Sequence, residues 1–568
     1  MTYQPAVQDT QFILFDVLDA SGQLRPIERF ADADGDLQRQ VLEEAAKFVA
    51  EVVAPLNAAG DNPGCRFHAG AVVTPPGFAP AYQAFWQAGW PALSCAPEHG
   101  GQGLPWVLEG ALYEWLSAAN HGWTMAPGLL HGAYECLAHH GSDELKAAYL
   151  EKLVSGEWLA TMCLTEAHAG SDLGLVRTRA TPQADGSYRV NGSKIFISGG
   201  EHDLTDNILH LVLARLPDAP AGPKGLSLLL VPKLLAEGSR NQVHCDRIEE
   251  KMGLHGSPTC AMRFEDAAGW LIGEPGQGLN AMFVMMNAAR LHVALQGIGL
   301  LDAARQKADA YARERRQMRV PGPRSGTEPA DFIIGHPAMR RLLDTQRAWI
   351  DGGRLLAYQT GLELDISKHH PDQARREKAQ RWCGLLTPVL KAAFTDQAFH
   401  GASECLQVFG GHGYIREWGI EQIVRDSRVS MIYEGTNEIQ AIDLLVRKVL
   451  PDGGAALRMM FEVLRDELDD RGAAGKTVLS HLARLEITTD ALIEAARTAP
   501  ALPYGVAGDY LRAVALVLLG WAWVRICNTP GAQGNERWQA PGEALRRWVL
   551  PEFDMRLAVI ENEIKRQD

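Results

Sequence analysis

The sequence predicts a mainly helical α+β protein of several domains, and three observations carry that prediction. Apolar residues recur at helical spacing before about residue 158 and again after about residue 277. Between 159 and 275 the pattern changes to short, β-type apolar runs bounded by turn residues. At 568 residues the chain exceeds what one hydrophobic core supports, so three or four domains are expected. The order is helices, sheet, helices, then more helices.

Residues 1–37 form an N-terminal arm in which Phe12-Ile-Leu-Phe-Asp-Val-Leu18 is an apolar docking segment. Residues 38–158 form a helical domain. Its first helix, Gln38 to Val53, carries apolar side chains at 41, 45, 48, 49 and 52, an i, i+4, i+7 stripe. Breaks such as Gly100-Gly-Gln-Gly103 punctuate the rest. Residues 159–275 form a middle β domain. Ser187 to Ser198 reads as a hairpin turning at Asn191-Gly192. His210–Ala214 and Leu226–Val231 read as strands buried on both faces. Helical spacing returns over 276–450, where Asn437 and Gln440 read as a capping pair. An apolar stripe at Ile439, Ile442, Leu445, Val446 and Val449 follows it. Residues 451–568 add a further helical domain. Its most apolar stretch, Ala513–Val524, is too short to cross a bilayer and reads as a buried helix.

Composition narrows the classes. Hydrophobic residues at 46% and charged residues at 22% are ordinary for a soluble globular protein. A net charge of −14 argues against a nucleic-acid partner, which requires a basic face, and suits a cytoplasmic protein. Nine scattered cysteines with no CxxC pair read as reduced thiols, and no metal site is expected. Met1-Thr-Tyr-Gln-Pro has no basic region and no long apolar run, so no signal peptide and no membrane span are expected.

The chemistry concentrates at Glu434, in Ile432-Tyr-Glu-Gly-Thr-Asn-Glu-Ile439. A carboxylate among apolar and aromatic neighbours loses hydration, which raises its pKa toward the range of a general base. The glycine after it lets a substrate approach the backbone N–H. This reads as a base that removes a proton beside an activated carbonyl. The alternative is an exposed carboxylate at a helix start, stabilised by the dipole.

Three motifs, in this order, resemble the acyl-CoA dehydrogenase family. They are Met162-Cys-Leu-Thr-Glu-Ala-His-Ala-Gly-Ser-Asp172, Gln407-Val-Phe-Gly-Gly-His-Gly-Tyr414 and Arg425-Asp-Ser-Arg-Val-Ser-Met-Ile-Tyr-Glu-Gly-Thr-Asn-Glu-Ile-Gln440. The resemblance covers roughly residues 40–450. The arm and the 451–568 block resemble the long bacterial branch with an extra C-terminal helical domain, which includes the 3-methylmercaptopropionyl-CoA dehydrogenases. The resemblance implies a central β-barrel or sandwich and a four-helix-bundle domain. It also implies FAD-dependent α,β-dehydrogenation of an acyl-CoA thioester to a trans-2-enoyl-CoA, with electrons passing to an electron-transfer flavoprotein. That reaction needs a base, a hydride acceptor and donors to the enolate oxygen. No side chain accepts hydride, so a cofactor is required. No GxGxxG follows a predicted strand, so a nicotinamide site is not supported.

Residue by residue, the resemblance makes Glu434 the α-proton base and flavin N5 the hydride acceptor. The Glu434 N–H and a ribityl hydroxyl would polarise the carbonyl. Met162, Leu164, Thr165, Gly170 and Ser171 match a cofactor-binding motif, with Thr165 and Ser171 approaching flavin and substrate; the alternative for these two is a polar strand-end turn. Phe196 and Ser198 stand where the family usually has Trp and Thr. Arg315, followed by Gln317, matches the arginine on the FAD pyrophosphate of a neighbouring subunit; Arg316 is an adjacent candidate, and a solvated helix face is the alternative. Gln407, Gly410 and Gly411 match a segment that meets the cofactor across a dimer interface. Thr436 and Glu438 match contacts to the adenosine half. Ser171, Arg315 and Gly435 are expected to touch substrate. His168 and His412 are read as packing or pocket-shaping residues. The cross-subunit contacts imply a homodimer or higher homo-oligomer. An acyl-CoA oxidase using oxygen and a non-catalytic flavin-binding relative are the alternative functions.

Overall fold

The structure, a computed structural model, describes residues 2–322, 327–468 and 471–567. Its first long helix, α1 (Gly35–Phe48), starts where the Asp34 carboxylate accepts the Leu37 N–H at 2.8 Å. The buried side is Leu42, Ala45, Ala46 and Val49, one residue round from part of the expected stripe. Helices α2 (Trp106–Thr124), α3 (Leu130–His140) and α4 (Asp143–Ser155) complete the N-terminal helical layer. One feature departs from the all-helical expectation for 38–158. β1 (Arg66–His68) and β2 (Ala71–Val73) form a hairpin, and Val72 is buried in the core of the β domain. Three-residue strands are too short to show a period of two.

The middle domain holds β3 (Leu159–Cys163), β4 (Arg179–Pro182), β5 (Tyr188–Ser198), β6 (Ile208–Arg215), β7 (Leu226–Pro232), β8 (Val243–Ile248) and β9 (Thr259–Ile272). Pairings β6–β4–β5–β9–β7 return to β6, so the sheet closes on itself as a barrel. β6 and β7 are buried along almost their whole length, as their unbroken apolar runs require. The expected hairpin at Asn191-Gly192 is corrected: β5 runs straight through, and its register against β9 shifts between Val190 and Gly192. This is a bulge. Asn191 exchanges hydrogen bonds with Asp266 across it, and Gly192 lies so close to Thr178 that a Cβ would sit 2.4 Å from its hydroxyl. The real turn lies at 183–187, where the Gln183 N–H donates to the Ser187 carbonyl.

The bundle is built from α5 (Gly278–Glu314), α6 (Pro337–His369) and α7 (Gln373–Val408), packed on one another, with α2 against α5 and α6. Shorter helices α8 (Ile420–Arg428) and α9 (Asn437–Ile442) follow. The cap of α9 is Thr436, whose hydroxyl accepts the Ile439 N–H, and not Asn437 as expected. The last domain adds α10 (Ala455–Leu468), α11 (Gly472–Thr498), α12 (Leu502–Asn528), α13 (Glu536–Ala544) and α14 (Glu552–Lys565). The apolar run at 513–524 belongs to this longer α12, which packs on α6. A Cβ on Gly352 would stand 2.4 Å from Leu519, and the Trp523 indole donates to the Ala348 carbonyl at 2.7 Å. Helices α5 and α12 are long and apolar enough to cross a membrane, but 72% and 83% of their most apolar windows are buried inside the protein.

Charges tie these layers together. Arg354 on α6 is buried and donates to Glu114 on α2 at 2.7 Å and to Asp302 on α5 at 2.8 Å. Beside it, buried Asp351 meets Arg537 of α13 at 2.7 Å, and Arg537 also holds Asp9 of the arm at 2.6 Å. The docking segment behaves as expected: Ile13, Leu14 and Leu18 are buried, and Phe12 stacks on Trp538 at 4.5 Å. Replacing Arg354 by Met leaves buried Glu114 without its cation and Asp302 with only Arg305 at 3.6 Å. The change should cost about 3–5 kcal/mol, seen as an earlier urea transition in tryptophan fluorescence; an unmoved transition would mean that those carboxylates are hydrated.

Candidate active site

Glu434 lies on the turn between a 3-10 segment, Val429–Met431, and α9. Its φ is +53°, and Gly435 follows at +84°. A non-glycine residue in the left-handed region costs roughly 1–2 kcal/mol, so surrounding contacts must hold the turn. They are visible on both carbonyls. The Glu434 carbonyl accepts from the Gln440 side-chain amide at 3.0 Å and from Arg290 Nε at 3.4 Å. The Gly435 carbonyl accepts from Lys391 Nζ at 2.8 Å. Glycine suits 435 because a Cβ there would lie 2.7 Å from the Gln440 amide.

Burial pushes the Glu434 carboxyl up to about 7, although Arg290 and Lys391 pull the other way. The alternative, an exposed carboxylate at a helix start, is therefore not what the structure shows; Glu434 is half-buried between two cations. Tyr433 donates to the Gln296 side chain at 2.5 Å, with His121 Nε2 at 3.5 Å and Met125 Sδ at 4.0 Å.

The middle-domain residues assemble through a clasp that sequence reasoning did not assign. Lys194, fully buried, pairs with Glu166 at 2.9 Å and donates to the Leu164 carbonyl at 2.9 Å. Burial alone would raise Glu166, but Lys194 and the Thr178 and Arg177 donors bring it down to about 2. The Ile195 N–H donates to the Thr165 carbonyl at 2.9 Å. Thr165 and Phe196–Ser198 are thus side by side. Met162 is buried on β3, Leu164, Thr165 and Ser198 are half-buried, and Gly170 and Ser171 are exposed. Phe196 stands at φ +60° with 60% of its surface exposed, an aromatic side chain offered outward. Gly199, at the end of β5, lies against Ala126, next to the Met125 that meets Tyr433. The middle-domain group and the Glu434 turn therefore share one region. Arg425 and Asp426 of the third motif are structural: Arg425 grips Asp61 at 2.7 Å and Asp426 accepts the Leu254 N–H at 2.6 Å, locking α8 to both neighbouring domains.

Arg315, Gln317, Gln407, Gly410 and Gly411 gather elsewhere. Tyr311 near the end of α5 stacks on Phe409 at 4.4 Å and hydrogen-bonds His412 at 2.9 Å. His412 is exposed and also stacks on Trp418 at 4.7 Å. The 25 residues from Arg290 to Arg315 span roughly 37 Å along α5 at about 1.5 Å each. Arg315 is therefore not brought to Glu434 within one chain. Arg315 is exposed, with no side-chain partner among the described residues. Arg316 is occupied, donating to the Ala330 carbonyl at 3.0 Å and lying 3.7 Å over the Phe332 ring. The open cation is Arg315. An added Cβ at Gly170, Gly410 or Gly411 would meet nothing within 4 Å, so these backbones are open to a ligand. Thr436 is half-buried, and Glu438 is exposed beside Gly508 of α12. An outward aromatic ring, small hydroxyls, open glycines and a free guanidinium fit a flavin dinucleotide in two separate groups.

Comparison with known proteins identifies the family. Residues 35–157, 161–267 and 276–449 match the acyl-CoA dehydrogenase N-terminal, middle and C-terminal domains. The chain is 43% identical to a 3-methylmercaptopropionyl-CoA dehydrogenase of Ruegeria pomeroyi, over 92% of this chain and 90% of the relative. It is 35% identical to a butyryl-CoA dehydrogenase of Syntrophomonas wolfei, over 82% and 79%. In fold it is similar to Caenorhabditis elegans ACDH-11, solved with C11-CoA, at TM-score 0.78 and 19% identity over 97% of this chain and 93% of that one. A Bacillus anthracis acyl-CoA dehydrogenase solved with FAD gives 0.74 and 21%, over 93% and 91%.

The Glu434 environment has a direct readout. A carboxyl held at about 7 is protonated below that pH and ionised above it. Infrared titration, with the band assigned by its loss in Glu434→Gln, should give a midpoint near 7. A midpoint at the ordinary 4.5 would show that water reaches the carboxylate freely.

Proposed function

The chain belongs to the acyl-CoA dehydrogenase family, and from that premise we propose that it removes the α-proton and β-hydride of an acyl-CoA thioester with Glu434 as the base. The observation that carries this reading is the Glu434 turn. It holds a carboxylate in a left-handed conformation, desolvated to a pKa near 7, between Arg290 and Lys391. A base works best when its pKa lies near the operating pH, because enough of it is ionised and it still binds the proton it takes.

The family binds FAD, and the bound flavin supplies the acceptor for the β-hydride. Phe196, Thr165, Ser171 and Ser198 would hold its ring, with Met162, Leu164 and Gly170 shaping the backbone around it. Thr436 and Glu438 would take the adenosine half. Arg315, Gln317, Gln407, Gly410 and Gly411 would reach the pyrophosphate of a second subunit's cofactor. The long separation along α5 supports a homodimer, since one chain cannot bring both groups to one FAD. The Glu434 N–H, at a turn that leaves Gly435 without a side chain, would donate to the thioester oxygen and stabilise the enolate.

Electrons would leave through an electron-transfer flavoprotein. The nine unpaired cysteines support a cytoplasmic, reducing setting. The relatives' names choose the substrates to try: 3-methylmercaptopropionyl-CoA, butyryl-CoA and longer linear acyl-CoAs. Anaerobic bleaching of the flavin by one class would identify the acyl group, whereas rapid reoxidation of the product complex by air would mark an oxidase.

Two variants test the assignments. Glu434→Gln should keep its yellow colour and bind thioester while turnover falls about 10²–10⁴-fold; near-normal turnover places the base elsewhere. Arg315→Ala removes charge-assisted hydrogen bonds worth about 1.5–3 kcal/mol each. FAD should then be lost on dialysis while any flavin still bound keeps its reduction rate. Full retention of FAD removes Arg315 from the pyrophosphate site.

A further inference from the structure

Lys391 sits in the middle of α7 with its side chain wholly buried, a costly place for an ammonium. Its partners explain the placement. Nζ donates to the Gly435 carbonyl at 2.8 Å and to Asn437 Oδ1 at 3.0 Å. Asn437 is itself held from α7: its carbonyl oxygen accepts from Thr395 at 3.1 Å, and its amide donates to the Ala392 carbonyl at 3.1 Å. One helical stretch of α7 therefore grips the chain on the far side of Glu434, while Arg290 of α5 and Gln440 of α9 hold the Glu434 carbonyl itself. The charged and titratable groups around the carboxylate are Lys391 from α7, Arg290 from α5 and Tyr433 on its own turn. Lys448, from the segment after α9, lies near Arg290 and pairs with Asp443 at 3.0 Å.

We propose that Lys391 is the positioning residue of the base: by fixing the Gly435 carbonyl it holds Glu434 in its left-handed conformation, and its charge keeps that carboxylate available as an anion. The proposal rests on reading Glu434 as the base. Without the ammonium, the 435–437 segment loses its anchor on α7, and the left-handed pair relaxes. The carboxylate also loses one of the two cations that oppose its burial. Burial in turn pulls Lys391 down to about 7, so the charge partner itself weakens in alkali. Lys391 reaches Glu434 through the backbone and through its field, and takes no proton from the substrate.

The test uses FAD-loaded enzyme and three variants. In Lys391→Met the infrared midpoint of Glu434 should rise by at least about 1 pH unit, the size expected for losing a nearby opposite charge. The acid limb of anaerobic flavin bleaching should rise with it, read with whichever of butyryl-CoA and 3-methylmercaptopropionyl-CoA reduces the wild type. The limiting rate should drop about 10²-fold, as for a small misplacement of a reacting group, with thioester affinity nearly unchanged. Lys391→Arg should restore the midpoint but not the full rate. A midpoint that stays in place in Lys391→Met overturns the proposal, because a merely structural defect lowers the rate at every pH alike. Should Lys391→Met not fold, Asn437→Ala decides. Faster backbone amide exchange over residues 433–437 with a slower limiting rate upholds the grip, and unchanged exchange and rate refute it. Glu434→Gln, run in parallel, separates the two ideas. If it stays active the base reading fails; if it is inactive while Lys391→Met titrates normally, only the role of Lys391 falls.

Discussion

Burying Arg354 is the constraint on which the helical part of the molecule depends. A guanidinium away from water must find carboxylates, and it finds one on α2 and another on α5. Those two helices belong to different stretches of the chain, and α6, which carries Arg354, comes from a third. One step along α6, Asp351 repeats the arrangement with Arg537 from the C-terminal helices and, through it, Asp9 from the arm. The apolar surfaces would pack in many registers. The charges accept few, so they set the register in which α5 presents Arg290 to the Glu434 turn.

The active-site turn follows a related logic at smaller scale. Its conformation is intrinsically unfavourable, and its stability comes from donors on three helices converging on two adjacent carbonyls. A strained residue held by rigid helices is positioned more sharply than one on a relaxed loop. The same burial that raises the carboxyl's pKa makes its anion expensive, and the two cations offset part of that cost without fully neutralising it. In the middle domain, Glu166 and Lys194 do comparable service for the segments carrying Thr165 and Phe196, as a buried ion pair.

Much of this was legible in the residues. The change of period near 159 and 277 marks the sheet between helical layers, because helices and strands impose different spacings on their apolar faces. The motif around Glu434 announced a desolvated carboxylate, and the structure places it in that state. What the sequence hid was tertiary. Asn191-Gly192 is a strong hairpin signal, yet pairing with β9 carried the strand through it as a bulge. Thr436 and Asn437 are both good capping residues, and only the neighbouring α7 decides that Asn437 turns to Lys391 and leaves the cap to Thr436. Lys391 and Lys194 look like ordinary lysines in the sequence, since nothing local says that a lysine is buried. How far Arg315 lies from Glu434 within one chain shows only when the length of α5 is laid between them.

The stacking of Phe12 on Trp538 and the ion pair between Asp9 and Arg537 join the two ends of the chain. A ribosome makes the arm long before its partner in α13 exists. Until then the apolar face of α6 around Gly352, which Leu519 and Trp523 will cover, stays open to solvent. Final packing of the helical body therefore waits for α12 and α13. Contacts between such distant segments form slowly, because the loop must close before any contact rewards it. A chain interrupted within its last quarter would display a broad sticky surface, and so would be readily recognised by chaperones and proteases.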